Sequence, residues 1–328
     1  MERRDFLKTA AGVGFGSLAA ALAQTSQASQ EVSAPKRSGK FKQSVTHMTF
    51  GASKDFEANC KAAAAIGFKG FDLANPVDWP TMKKYGLIPS MSPGTIPRFL
   101  PAAQLAAPAS PSPPAGAPKS SGPPATFNVP AAMSLSNKEQ HDEQEKLLCG
   151  AIDQCAENGA PNIIVFSGTR MPGVPGISNE EAADNCVAIL NRVKGCAEKR
   201  GVNICLEYLN SEVNHRGTIF DRMDWGVDVM KRVNSPRVGI LFDIYHVQID
   251  DGDVTRLMRN HIQWIKHVHT AGNPGRNQLD DNQELNYRFI ARALAETGYD
   301  GWVGHEYTPT KDADPIACLK QAFDIFDL

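Results

Sequence analysis

From residue 44 onward the chain repeats one unit eight times: a short apolar run, then a longer segment with helical periodicity. The runs cover residues 44–50, 69–73, 87–91, 162–166, 203–208, 238–243, 264–269 and 302–306. Helical spacing of apolar residues follows over 55–66, 78–85, 137–158, 178–200, 221–233, 253–260, 283–297 and 314–326. Runs that are apolar throughout suit strands covered on both faces, as in a parallel sheet. Ser178 with Glu181 three residues later forms a capping-box pattern. Gly67, Gly159, Gly201 and Gly298 stand just past helix ends, where left-handed caps are expected. Eight strand–helix pairs is the count of a single-domain α/β fold, the (β/α)8 TIM barrel. The alternative is an open doubly wound sheet, but no Gly-x-Gly-x-x-Gly follows the first run.

Length and charge agree with that frame. The 328 residues exceed the ~250 that a barrel commonly needs. A formal net charge of −2 argues against a nucleic-acid binder that relies on a broadly basic surface. No apolar run reaches the ~18 residues of a membrane span.

Two segments stand outside the repeat. The chain opens Met1-Glu2-Arg3-Arg4-Asp5-Phe6-Leu7-Lys8, then a mild Gly/Ala-rich apolar stretch, then Ala21-Leu22-Ala23 as a small-x-small cleavage site. Residues 1–23 therefore resemble a twin-arginine export signal, which implies a periplasmic or otherwise exported protein. Residues 24–43 read as a flexible linker and residues 44–328 as the barrel. Residues 101–130 hold nine prolines and one charged side chain, Lys119. That composition reads as a disordered insertion between the third strand and the third helix. The seven cysteines include no Cys-x-x-Cys pair, which argues against a zinc ribbon or thioredoxin-type site. They are expected to be buried thiols acting as small hydrophobes.

A barrel carries its chemistry at the carboxyl ends of its strands. There the sequence places Glu207, Asp243, His269 and Glu306, each after an apolar run. Three carboxylates in one mouth repel unless a cation neutralises them. Three oxygen donors and one imidazole suit a divalent Mn, Mg or Co ion. Glu207, Asp243, His269 and Glu306 are thus the expected metal ligands. His47 ends the first run and either lines the pocket or is structural. His267 is expected to face away from His269, towards the helices. His215 and Arg216 either reach substrate from the fifth loop or are solvated. Trp264 and Trp302 begin strands and are read as core.

Four motifs add a resemblance: Leu206-Glu207-Tyr208-Leu209-Asn210, Phe242-Asp243-Ile244-Tyr245-His246-Val247-Gln248-Ile249, Gly272-Asn273-Pro274-Gly275-Arg276, and Gly298-Tyr299-Asp300-Gly301-Trp302-Val303-Gly304-His305-Glu306-Tyr307. With them the chain resembles the xylose-isomerase-like barrels, and within these the hydroxypyruvate isomerases. The resemblance spans about residues 44–327 in architecture and is specific over about 200–310. It implies metal binding by Glu207, Asp243, His269 and Glu306, and substrate contact by His246 and Arg276. Two features depart from the pattern: the loop Ser211-Glu212-Val213-Asn214-His215-Arg216-Gly217, and His269 where hydroxypyruvate isomerases carry Gln. His at that position resembles the ketose 3-epimerases.

The implied reaction is proton transfer next to a carbonyl, with a divalent cation stabilising an enediolate. Glu207 and Glu306 are the expected catalytic pair, and Arg276 the anchor for a carboxylate or terminal oxygen. The leading reading is an intramolecular oxidoreductase converting hydroxypyruvate to tartronate semialdehyde. The alternatives are a ketose 3-epimerase, a polyol-ketone dehydratase, or a non-catalytic carbohydrate-binding barrel. An apurinic endonuclease on this scaffold would need more His ligands and a basic groove. The expected partner is a small hydroxy-carbonyl or sugar substrate, with a homo-oligomer as one option; neither nucleic acid nor a membrane span is expected.

Overall fold

The structure, a computed structural model, describes residues 38–93, 134–170 and 176–328. The expected export signal, linker residues 24–37 and the Pro-rich insertion lie outside the described residues. Eight strands form one sheet: β1 (Lys42–Val45), β2 (Gly70–Asp72), β3 (Ile88–Met91), β4 (Asn162–Val165), β5 (Asn203–Glu207), β6 (Val238–Asp243), β7 (Ile265–Thr270) and β8 (Trp302–His305). Their order is β3-β2-β1-β8-β7-β6-β5-β4, and every named pair is parallel. A parallel bridge from Ser92 to Ile163 links the two ends, with Ser92 N–H donating to Asn162 O at 2.8 Å. The expected (β/α)8 barrel is what the chain forms.

The helices are α1 (Phe56–Ile66), α2 (Trp79–Lys84), α3 (His141–Asn158), α4 (Asn179–Arg200), α5 (Met223–Val233), α6 (Ile244–Asp250), α7 (Val254–His261), α8 (Tyr287–Glu296) and α9 (Pro315–Phe326). Ser178 caps α4 by accepting from Glu181 N–H, and Asp55 and Asp314 cap α1 and α9. Gly159 and Gly201 close α3 and α4 in the left-handed region, where a Cβ is costly. None of the described helices is long and apolar enough to cross a membrane.

Strand alternation decides which side chains face inward. Ile204, Leu206, Ile240, Phe242, Val268 and Val303 join the core between sheet and helices. On the opposite parity, Met91, Ile164, Cys205 and Leu241 pack as a separate cluster inside the barrel. Glu207 and Asp243 lie two residues beyond Cys205 and Leu241, so they share that inward face at the mouth.

Three local expectations are corrected. The first run is strand only to Val45. Thr46 N–H still donates to His305 O at 3.0 Å, after which His47–Phe50 wind into a 3-10 turn held by the Thr49 hydroxyl on Thr46 O. Cys149 on α3 and Cys196 on α4 are not thiols but a disulfide, their Cα atoms 5.7 Å apart. Cys60, Cys155, Cys186, Cys205 and Cys318 are free and buried, and burial pushes the Cys60 and Cys155 thiols up to about 12 and about 11. His267 does not face the helices; residues two apart on a strand share a face, so it points inward beneath His269.

Candidate active site

Four strand ends converge at the mouth. Glu207 closes β5, Asp243 closes β6, His269 lies in β7 and Glu306 follows β8 directly. One ligand atom from each lies within 4.8 Å of all the others, and all four residues are buried. Asp243 divides its carboxylate: Oδ1 caps α6 by accepting from Tyr245 N–H at 2.9 Å, and Oδ2 faces the cluster.

Arg276 enters from the loop after β7. Its Nη2 lies 3.0 Å from Asp243 Oδ2 and 2.8 Å from Glu306 Oε2. Its backbone adopts φ 56, a left-handed conformation that costs a non-glycine residue about 1–2 kcal/mol. The following strand end holds that geometry, because Thr308 N–H donates to Arg276 O at 3.0 Å. The buried Nε of Arg276 has no partner among the described residues, so a donor is available to a ligand. The guanidinium also lies 5.4 Å from the centre of the Tyr245 ring.

His246 sits on α6, three residues after Asp243 and fully buried. Asn210 Nδ2 donates to His246 Nδ1, which assigns the proton of the neutral ring to Nε2. That Nε2 lies 3.5 Å from Asp243 Oδ2 and makes no hydrogen bond. Burial, then the Arg276 charge, holds the ring well below the ordinary imidazole range, so it stays neutral and presents an N–H. Asn210 is itself fixed: its Oδ1 accepts from the N–H groups of Val213 and Asn214, and its Nδ2 also donates to Asn214 Oδ1. Asn214 Oδ1 in turn accepts from Tyr245 Oη at 2.9 Å.

The charges at the mouth do not balance. Burial, reinforced by Glu306, raises Glu207 well above the usual carboxylate range, and burial raises Asp243 against the pull of Arg276. Burial works against the Glu306 carboxylate too, but Arg276 and His269 outweigh it and hold that pKa down at about 2. His269 Nδ1 lies 2.9 Å from Glu306 Oε2, out of line for a hydrogen bond but within ion-pair distance, and against burial Glu306 holds the ring well above the ordinary imidazole range. Three buried carboxylates and one buried imidazole nitrogen, facing a common point, fit a divalent cation.

The expected residues divide accordingly. Glu207, Asp243, His246, His269, Arg276 and Glu306 come together. His47 opens the 3-10 turn, half-buried, with Asn59 Nδ2 3.4 Å from its Nδ1 and Phe56 beside its ring. His215 packs edge-on against His246 at 5.1 Å, whereas Arg216 is exposed. Trp302 is buried as expected; Trp264 is half-buried. Sequence reasoning missed Asp72, which closes β2 and receives both His267 and His269. The signal was present: an acidic residue closing an apolar run, as at β5 and β6. It also missed Asn210, Asn214 and Tyr245 as a supporting network.

Comparison with known proteins adds the lineage. A 2-oxo-tetronate isomerase of Cupriavidus necator is 36% identical over 113 residues, 34% of this chain and 43% of that protein. A Danio rerio protein provisionally named hydroxypyruvate isomerase is 32% identical over 126 residues, 38% of this chain and 46% of its own. The chain thus spans about half the length of the curated relatives it matches. Among solved structures, a 3-keto-D-glucoside 4-epimerase from E. coli superposes with a TM-score of 0.65 at 15% identity, covering 87% of this chain and 98% of that one. A D-psicose 3-epimerase from Clostridium cellulolyticum reaches 0.63 at 15% identity, with the same coverage. The sequence profile of the xylose isomerase-like TIM barrels matches residues 60–324, and the chain belongs to that family.

Proposed function

We propose that the chain is a divalent-metal-dependent isomerase of a small hydroxy-carbonyl compound, with hydroxypyruvate and tartronate semialdehyde as the leading pair. The observation that carries this reading is the convergence of Glu207, Asp243, His269 and Glu306, with Arg276 and the His246 N–H beside them. The names of the curated relatives support it. Glu207, Asp243, His269 and Glu306 would hold a Mn, Mg or Co ion. When bound, such a cation supplies Lewis-acid stabilisation of the negative charge that develops on the substrate oxygens.

The chain's own side chains do the rest. One of Glu207 and Glu306 takes the proton from the hydroxyl-bearing carbon. The proton is returned to the neighbouring carbon, and the hydroxyl proton passes from one oxygen to the other. His246 Nε2–H donates to a substrate oxygen, and Arg276 grips the carboxylate through its free Nε–H.

A second reading, a ketose 3-epimerase, is favoured by His269 as the imidazole ligand and by the epimerase names of the structural neighbours. There the proton returns to the opposite face of the same carbon. Incubating the metal-loaded protein with hydroxypyruvate and a ketose panel, with products read by NMR, separates the two. Isomerisation moves the carbonyl; epimerisation inverts one hydroxyl; no product from any substrate rejects both. Export through the twin-arginine pathway is supported by Arg3-Arg4 and by the Cys149–Cys196 disulfide, a bond that persists in oxidising compartments.

A further inference from the structure

Beneath the mouth lies a second polar cluster. His267 Nε2 lies 2.8 Å and His269 Nε2 3.1 Å from one atom, Asp72 Oδ2. The other oxygen, Oδ1, accepts from Ser90 Oγ. Asp72, His267, His269 and Ser90 are all fully or almost fully buried. A carboxylate accepts and does not donate, so both Nε2 atoms must carry protons. In the neutral His269 ring that metal ligation requires, this leaves Nδ1 as the donor lone pair, and Nδ1 is the nitrogen that faces Glu306 Oε2 at 2.9 Å.

His267 repeats the arrangement one level deeper: its Nδ1 lies 3.4 Å from Asn162 Nδ2, a donor. The backbone makes room for the convergence at Gly304. A Cβ there would lie 2.2 Å from Asp72 Oδ2, 2.8 Å from His269 Cδ2 and 3.0 Å from His267 Nε2. The residue types at these positions on β2, β3, β7 and β8 therefore act together to hold one imidazole in one tautomer and one orientation.

We infer that Asp72, braced by Ser90 and His267, is the positioning residue that aims His269 Nδ1 at the metal. This rests on the proposed metal-dependent function. Asp72, His267 and His269 also bring three possible ligand atoms within 4.8 Å of one another, close enough for a metal of their own. Both imidazoles donating to a single oxygen at hydrogen-bond length make Asp72 an acceptor rather than a ligand. A carboxylate behind a metal-bound histidine fixes its tautomer and raises its basicity, and losing it typically lowers metal affinity about 10–100-fold.

The test titrates Mn²⁺ into chelator-stripped wild type and Asp72→Asn by calorimetry. A second readout follows the histidine nitrogens of the Zn²⁺-loaded wild type by ¹⁵N NMR. The expected results are one ion per chain, affinity about 10–100-fold weaker in Asp72→Asn, and a His269 ring bound through Nδ1 with its proton on Nε2. Unchanged affinity in a folded Asp72→Asn, even with a lowered melting temperature, overturns the inference, because Asp72 would be structural only. Metal on Nε2 overturns it in wild type alone, so the inference stays exposed if the variant fails to fold. Two ions in wild type and one in Asp72→Asn would make Asp72 a ligand and overturn it likewise. Wild type that takes up no divalent ion removes the proposed function and this inference together; the other contrary outcomes remove this inference alone.

Discussion

Glu306 touches both Arg276 and His269, so substitutions at these positions should have separable effects. Glu306→Gln keeps shape and one ligand oxygen but removes the basic carboxylate. Metal affinity should fall modestly, because Glu207, Asp243 and His269 remain, while turnover falls at least about 10²-fold, the lower end of general-base catalysis. Arg276→Ala should not weaken metal binding, since it removes a cation that Asp243 and Glu306 already hold. It should raise KM for a carboxylate-bearing substrate far more than for a neutral ketose, as steady-state kinetics on the two classes would show. His215 offers a pH test. Burial, then Arg276, pulls its pKa from 6.5 to about 4. The unfolded chain therefore binds a proton that the folded one refuses, and stability is full above about 6.5 and falls as pH drops towards 4. The slope is up to about 1.4 kcal/mol per pH unit. Denaturant unfolding of wild type and His215→Gln across that window should show this component vanish in the variant. The convergence of Glu207, Asp243, His246, His269, Arg276 and Glu306 was legible in the sequence because each closes an apolar run or sits in a specific motif. Asp72 and His267 were not, since their role exists only where β2 meets β7 across the barrel interior, a distance of 195 residues in sequence.

At the scale of elements, α3 and α4 are tied twice. The Cys149–Cys196 disulfide joins them, and Arg192 on α4 reaches Asp142 and Glu145 on α3 at 2.7 and 2.5 Å. Exposed ion pairs are worth little, so the covalent link should dominate. Closing a separation of 47 residues corresponds to about 4 kcal/mol in the chain-entropy view. Cys149→Ser with Cys196→Ser, or reduction of the wild type, should lower unfolding free energy by a few kcal/mol; equal stability with and without reductant would show no structural contribution. Sequence pattern specified no pairing, because seven cysteines, all but Cys205 on helical segments, read equally well as core thiols. Nor did it reveal α6. That helix follows β6 with no intervening loop, and its cap is Asp243 itself. Strand-end carboxylate and helix cap are one residue, so the usual turn signal between elements is missing.

For the whole molecule, the eightfold alternation carried the architecture from the sequence alone, since eight runs buried on both faces have few other ways to satisfy their edges. Strand ends differed from expectation by a few residues where the chain leaves the barrel rim, as at Val45. The address is a separate matter from the fold. A fusion of residues 1–40 to a folded reporter should be exported, and Arg3→Lys with Arg4→Lys should stop it, because charge is kept and the paired arginines are not. Normal export of the double variant would rule the twin-arginine route out. The central claim, metal-dependent proton transfer at the barrel mouth, is most directly tested by solvent deuterium incorporation into hydroxypyruvate or a ketose on the purified protein. With Mn²⁺ or Mg²⁺ present, deuterium should enter at the carbon next to the carbonyl, cease on chelation, and return on metal addition in wild type but not at the parent rate in Glu306→Gln. Exchange that persists after complete chelation, or no exchange into any substrate by the metal-loaded protein, would contradict it.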